Sequence, residues 1–381
     1  MAGKNIIVCC DGTGNEYRAK NNTNVIRLVR VLKKDDSDKQ IVFYDPGVGT
    51  FAAPGTQLPI VKLFTKILGL AFGYGFTKNV TEAYKFLMNH YEDGDKIYLF
   101  GFSRGSYTAR AIAGFIKMLG LLKPGSENLI PYAFNIYKGQ RGILHQIKRS
   151  MAFFIPFYSG GKFEPEWRRA AGFKKVFSRK VDIHFIGVWD TVKSIGWIRR
   201  RIVLPHTFYN NIVKMGRHAV SIDEKRSQYR PNHWGYKNGE KFREVWFAGV
   251  HSDIGGSYPQ RGLSDVTLHW MIKELQTLTD IEFDYKELLR LPKGNPLGEK
   301  HNPLIPIWWI LGWWSRKIVK YNSKKVKNDP NPSPMIFDSV KVRMEEMPDY
   351  KPEIPPNVVF VGNTKKDRSE EEPLIEEDIL V

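Results

Sequence analysis

An α/β fold, with a mostly parallel sheet and helices on both of its faces, is predicted by three features of the sequence. Apolar runs of β-type residues recur at Asn5 to Cys10, Gln40 to Tyr44, Ile97 to Phe100, Ile183 to Trp189 and Val245 to Val250. Between several of them lie segments with apolar residues at helical spacing, at Asn24 to Leu32, Thr77 to Tyr91 and Ala109 to Ile116. Each apolar run also ends in a polar or glycine-rich stretch: Asp11-Gly12-Thr13-Gly14-Asn15, Asp45-Pro46-Gly47, Gly101-Phe102-Ser103-Arg104-Gly105, Asp190-Thr191 and His251-Ser252-Asp253-Ile254-Gly255-Gly256. Strand-helix alternation needs crossover connections, and these make neighbouring strands parallel. In such sheets ligands bind beyond the carboxyl ends of the strands.

Taken in order, the first strand is followed by an amphipathic helix with Val25, Leu28, Val29 and Leu32 on one face, then by the second strand. Residues 51–76 read as an apolar, glycine-punctuated flap with a helical piece from Pro59 to Leu68, interrupted at Gly69, Gly73 and Gly75. A helix from Thr77 to Tyr91 buries Val80, Tyr84, Leu87 and Met88, and Glu92-Asp93-Gly94-Asp95 turns the chain into the third strand. Residues 120–180 carry weaker periodicity and read as an insertion covering the site. The run Ile183 to Trp189 is almost wholly apolar, as expected of a strand buried on both faces. After the strand at Val245 to Val250, Ser264 is expected to cap a helix with Leu268, Met271, Ile272 and Leu275 inward. Asn357 to Val361 adds a last strand. The expected organisation is a single domain over 1–362, with insertions at about 51–76, 120–180 and 300–345, and an acidic, disordered tail at 363–381.

The third strand meets its helix at Gly101-Phe102-Ser103-Arg104-Gly105. Strand, Gly-x-Ser-x-Gly and helix in succession are the layout of a nucleophile elbow, in which glycines flank a serine on a strained turn. Gly101 and Gly105 alone could mark an ordinary turn. Ser103, Asp190 and His251 all leave strands at the carboxyl edge, and their chain order is that of an α/β-hydrolase. The chemistry suits these residue types: a serine hydroxyl needs a histidine to take its proton, and the histidine needs a carboxylate on its other nitrogen. Asp253 is the rival acid, and its other reading is a turn-bonding aspartate. The expected oxyanion donors are backbone N–H groups of Arg104 and of Gly12 or Thr13, while Asp11 is either a supporting residue or a plain turn residue. His184 reads as a core histidine, and His218, with Asp223 and Glu224, as a helix face and not a metal site. No metal and no cofactor is required.

Net charge is +18, although the tail from Asp367 carries seven acids against one arginine. The basic body attracts anionic surfaces, or serves solubility alone. The segment Leu304 to Trp314, with Trp308, Trp309, Trp313 and Trp314, runs into Arg316 and Lys317. It is too short for a bilayer core that needs about 20 residues, so it reads as a peripheral contact with anionic membrane or as a lid or core segment. Cys9 and Cys10 are adjacent on one strand and point to opposite faces, so no disulfide is expected. The apolar run at the N-terminus is too short for a secretory signal. The expectation is synthesis in the cytoplasm, with peripheral membrane association or a non-classical secretion route left open.

The motifs CDGTGN, YDPGVGT, GFSRGSYTAR, VWDTV and GVHSDIGGSY, in this order, closely resemble a family of α/β-hydrolase domains that includes phospholipase effectors of bacterial type VI secretion. The resemblance covers about Lys4 to Leu275. It implies a lipase-type hydrolase with the family's nucleophile at Ser103, its acid at Asp190 and its histidine at His251, acting through an acyl-enzyme on a lipid, phospholipid or other ester. The segment His218 to Glu224 also recurs in that family. The alternative class is a non-catalytic module binding anionic lipid or nucleic acid through its basic surface, nucleic acid being disfavoured; it leaves the three residues at strand ends unexplained. A small-ester hydrolase or a phosphatase is a lesser alternative, the latter weakened because Cys9 stands where an attacking aspartate belongs.

Overall fold

Strand β1 (Asn5–Cys10) is buried along its whole length, as a strand central to a two-sided sheet must be. The computed structural model describes residues 3–12, 20–47, 62–139, 166–192, 204–235, 239–304, 315–318 and 333–362. In it β1 pairs with β2 (Gln40–Asp45) on one side and β3 (Lys96–Phe102) on the other. A separate antiparallel pair joins β4 (Leu121–Leu122) to β5 (Ser178–Arg179). The main sheet continues through β6 (Ile183–Trp189), β7 (Val213–Ser221), β8 (Phe242–Phe247), β9 (Met335–Phe337) and β10 (Val359–Val361). Among the described residues its order is β2-β1-β3-β6-β7-β8-β9-β10, and every pairing is parallel.

Helices cover both faces, as the alternating pattern predicts. On one face, Ile6 and Val8 of β1 pack with α2 (Lys62–His90), α3 (Arg104–Leu119) and α4 (Ile130–Tyr137), through Tyr84, Leu87, Ile112, Phe115 and Phe134. On the other, Ile7 and Cys9 meet Val25 and Leu28 of α1 (Asn24–Val31) and Leu268, Met271 and Leu275 of α7 (Gly262–Leu278). The side chains of Cys9 and Cys10 therefore enter opposite cores, unbridged and buried. Among the described residues the remaining α-helices are α5 (Glu166–Phe177), α6 (His251–Gly255), α8 (Tyr285–Leu289) and α9 (Asp338–Glu346).

Several expectations are corrected. Lys62–His90 is one helix, running through Gly69, Gly73 and Gly75. A glycine costs a helix only about 1 kcal/mol relative to alanine, and burial of Val80, Ala83, Tyr84 and Leu87 anchors its second half. The described parts of 120–180 are core rather than a cover for the site, since Phe134, Tyr137, Ala170 and Phe173 are buried against α3 and its neighbours. Residues 300–345 contain β9, a strand of the main sheet. Helix α7 begins at Gly262, and Ser264 sits in its first turn, where its hydroxyl donates to Arg261 O instead of capping. β7 has no counterpart among the expected strands: Arg217 and His218 interrupt its apolar pattern, and His218 lies on this strand and not on a helix. Of the flap expected at 51–76, residues 62–76 belong to the helix Lys62–His90 and 51–61 lie outside the described residues, as does the tail at 363–381.

The interruption in β7 is tolerated because each polar group has a partner. Arg217 and Glu274 of α7 are both fully buried and lie 2.5 Å apart, and Arg217 also donates to three backbone carbonyls. Removing one partner of such a pair leaves an uncompensated buried charge, which costs about 3–5 kcal/mol. The substitution Glu274→Met should therefore lower unfolding stability in urea by about that much. A loss below about 1 kcal/mol, the scale of an exposed pair, would contradict this account.

Candidate active site

The strand order reverses between β1 and β3, so their carboxyl ends open the crevice where parallel sheets place ligands. Ser103 stands there between the end of β3 and the start of α3, with φ +59°. A serine pays strain in that region, and surrounding contacts enforce it. Its N–H donates to Trp189 O at 3.0 Å, while Ser106 Oγ lies 2.7 Å from Gly101 O and 2.9 Å from Trp189 O. The flanking glycines are steric requirements. A Cβ on Gly101 would sit 2.6 Å from the backbone of Gly105, and one on Gly105 would run into Cys10 O at the end of β1 and Asp11 O just after it.

Asp190 follows β6 on a second strained turn, with φ +38°. Its N–H donates to Ala219 O of β7 at 2.7 Å. The carboxylate is fully buried, and each oxygen has defined donors. Oδ1 accepts from Ser221 N at 3.0 Å, and Oδ2 lies 2.5 Å from His251 Nδ1. The other ring nitrogen, His251 Nε2, is 2.8 Å from Ser103 Oγ. The three residues that sequence reasoning placed on one edge thus form a continuous hydrogen-bonded chain. His251 opens α6, and its imidazole contacts the rings of Phe102, at 4.7 Å, and Tyr229, at 4.8 Å. A side chain at Gly255 would collide with Phe102, so this glycine keeps the ring against the histidine.

The structure separates the two candidate acids. Asp253 turns away from His251, accepting from Val250 N at 3.0 Å and pairing with His301 Nδ1 at 2.6 Å. Asp11 does not touch Ser103 or His251 in any hydrogen bond; it ties the β1 turn by accepting from Gly12 N, Thr23 Oγ1 and the Tyr44 hydroxyl. This corrects the oxyanion expectation at Gly12, whose N–H is directed at Asp11 Oδ1 at 2.6 Å. Thr13 lies outside the described residues. Arg104 is the first residue of α3, where first-turn N–H groups point out of the helix end. Burial pushes its guanidinium down to about 10.

Residues to which the sequence assigns no place in the site complete the surroundings. Arg316, expected on a membrane-facing surface, is buried with both terminal nitrogens on the Asp190 carboxylate. Of the other proposed membrane contacts, Lys317 is exposed, whereas Trp308, Trp309, Trp313 and Trp314 lie outside the described residues. Glu224 accepts His251 N at 3.2 Å and is chelated by Arg226. His218 Nε2 accepts the N–H of Thr191, next to Asp190, and its Nδ1 faces Glu244 at 2.8 Å. That pattern gives a neutral imidazole holding the Asp190 turn, and it explains part of the segment from His218 to Glu224. The described residues contain no cluster of three or more potential metal ligands among His, Cys, Asp and Glu.

The electrostatics follow from burial and pairing. Burial alone raises the Asp190 carboxyl, but the Arg316 guanidinium and His251 outweigh it and hold Asp190 well below the usual carboxylate range. Burial lowers His251 below its ordinary value, and Asp190 restores only part of the difference. The pair is therefore an ionised acid next to an imidazole that is neutral at physiological pH.

A parallel sheet with a strained serine turn, backed by a histidine and a buried aspartate at the ends of other strands, defines the α/β-hydrolase class of fold. Within that class, the chain belongs to the family described as the type VI secretion (T6SS) phospholipase effector Tle1-like catalytic domain, whose profile matches residues 4–274. It is 37% identical over 238 residues to an uncharacterized Saccharomyces cerevisiae protein, covering 60% of this chain and 32% of that relative. Among solved structures, an uncharacterized protein from Pseudomonas aeruginosa aligns with TM-score 0.41 and 16% identity, over 81% of this chain and 48% of the other. The Tle1 effector bound to the VgrG spike of the type 6 secretion system aligns with TM-score 0.39 and 19% identity, over 68% and 52%. The chain thus spans about a third of the length of the yeast relative and about half of each solved protein.

Elbow packing yields a paired prediction. Gly105→Ala, which drives a methyl into the β1 backbone, should cost about 1–3 kcal/mol of unfolding free energy. Gly172→Ala, in helix α5 with open space around it, should gain up to about 1 kcal/mol. Equal unfolding midpoints for the two variants would contradict the packing described.

Proposed function

We propose that this chain is a serine ester hydrolase that cleaves acyl esters of lipids, with phospholipids the favoured substrates. The observation that carries the proposal is the chain from Ser103 Oγ through His251 to Asp190, at 2.8 Å and 2.5 Å. In this reading Ser103 Oγ attacks the ester carbonyl carbon while His251 Nε2 takes its proton. Asp190 holds the imidazole through Nδ1–H and stabilises the imidazolium. The oxyanion of the tetrahedral intermediate accepts from the Arg104 N–H and from a second backbone donor near Thr13. Collapse breaks the bond to the alcohol, which leaves with the proton held by His251. Water then repeats the sequence against the acyl-enzyme, with His251 again as base, and restores Ser103.

Lipid preference is supported by the phospholipase description of the family and by the net charge of +18, which favours an anionic interface. Lys317 and the tryptophans at 308, 309, 313 and 314 are proposed to meet that interface, without Arg316.

The test is hydrolysis of nitrophenyl esters of increasing chain length, set beside release of fatty acid from phospholipid vesicles. Longer chains and vesicles should be turned over faster than acetyl esters, and Ser103→Ala should lose at least about 10³-fold of the activity. Turnover of acetyl and butyryl esters alone would reduce the reading to a small-ester hydrolase. The pH profile has a fixed sign. Activity requires unprotonated His251, so it is present above the histidine's pKa and lost as pH falls through it. Because burial lowers that pKa, the acid limb should lie below the ordinary histidine value of about 6.5.

A further inference from the structure

Arg316 contacts the site in a way the serine-histidine-aspartate reading alone does not require. The segment Ser315 to Ile318 alternates outward and inward residues, with Ser315 and Lys317 exposed and Arg316 and Ile318 buried. Ile318 anchors it in a further buried cluster with Val220, Trp246, Ile336 and Val340. From that anchor Arg316 reaches the back of Asp190. Nη1 lies 2.5 Å from Oδ1 and Nη2 2.9 Å from Oδ2, the two-pronged geometry in which a guanidinium matches a carboxylate. The same nitrogens donate to Ser221 O at 3.1 Å and to Tyr229 O at 2.5 Å. The Arg316 side chain is 1% exposed, so this is no surface pair.

We propose that Arg316 is a positioning residue of the reaction: its guanidinium aims the Asp190 oxygen that receives His251 and offsets the carboxylate charge the imidazole experiences. The inference rests on the serine hydrolase reading and extends it to the acid's far side. An unneutralised carboxylate beside the imidazole would favour its protonated form, which cannot accept the Ser103 proton. With Arg316 present, the carboxylate still orients the ring through Nδ1 but holds a resting proton on it less strongly. The other groups around the pair do not duplicate this. Glu224 meets the backbone N–H of His251 and is itself chelated by Arg226. Tyr229 presents its ring to His251, and His218 bonds the backbone of Thr191. Arg104 starts the helix behind Ser103. On α6 itself, Asp253 faces His301. Among these groups, the hydrogen bonds place only His251, Ser221 N and Arg316 on the Asp190 carboxylate.

The experiment is the pH profile of kcat/KM for 4-nitrophenyl butyrate, with near-UV circular dichroism checking the fold of each variant. Arg316→Gln retains a donor without the charge, and its acid limb should move up by about one pH unit or more. Its deficit against wild type should therefore grow as pH falls. Arg316→Lys keeps the charge without the fork, so it should lower kcat while its limb stays within about 0.3 units of wild type. Arg343→Met removes a buried arginine that bonds Pro296 O and Gly298 O, apart from the site; it should lower the unfolding midpoint and leave the limb in place. Limbs of Arg316→Gln and Arg316→Lys that both coincide with wild type would overturn the proposal, as would a full-unit shift in Arg316→Lys. Should Arg316→Gln fail to fold, Arg316→Lys and Arg316→Met carry the same comparison. The underlying reading fails separately, if wild-type hydrolysis survives Ser103→Ala.

Discussion

A carboxylate with no access to water must be neutralised where it lies, and Asp190 is such a group. Elements far apart in sequence converge to do so. β7 supplies the N–H of Ser221, α6 supplies His251, and the segment after residue 314 supplies Arg316. Each is held by its own structure: β7 by pairing with β6 and β8, α6 by its seat against Glu224, and Arg316 by the Ile318 anchor. The register of the sheet therefore matters to the site more than any single contact. A slip of one residue between β6 and β7 would turn Ser221 and His218 to the wrong faces.

The strand edge is where such an arrangement can be built. Both faces of the central strands are committed to packing, so polar chemistry is confined to the carboxyl ends. There the turns at Ser103 and Asp190 adopt positive φ, a backbone state costing of order 1–3 kcal/mol each. The surroundings over-determine both. Ser103 N and Ser106 Oγ bond the end of β6, and Asp190 N bonds the end of β7. Three adjacent strand ends are stitched together, which fixes the Ser103 turn relative to the Asp190 turn.

The main features of the site were legible in the sequence because their signals are local. A strand, Gly-x-Ser-x-Gly and a helix fall within about twenty residues, and Asp190 and His251 each stand at the end of an apolar run. What was hidden depended on distant partners. β7 reads unlike a strand because Arg217 and His218 sit inside it, and distant partners, Glu274 and Glu244 among them, make them acceptable there. Arg316 looked like surface charge following tryptophans, since its burial depends on an aspartate 126 positions earlier. The Gly12 amide reads as an available donor in the sequence, whereas Asp11 folds back onto it. Glycines in Lys62–His90 looked like breaks because propensity omits the packing of the helix's second half. In each case a tertiary partner outweighed the local pattern.

The central claim is that Ser103 is an activated nucleophile. Its most direct measurement is peptide mapping by mass spectrometry after the folded protein reacts with a fluorophosphonate. The account predicts one adduct per chain, on Ser103, that is lost in His251→Ala and in unfolded protein. Absence of an adduct on the folded protein, or undiminished labelling in Ser103→Ala, would contradict it.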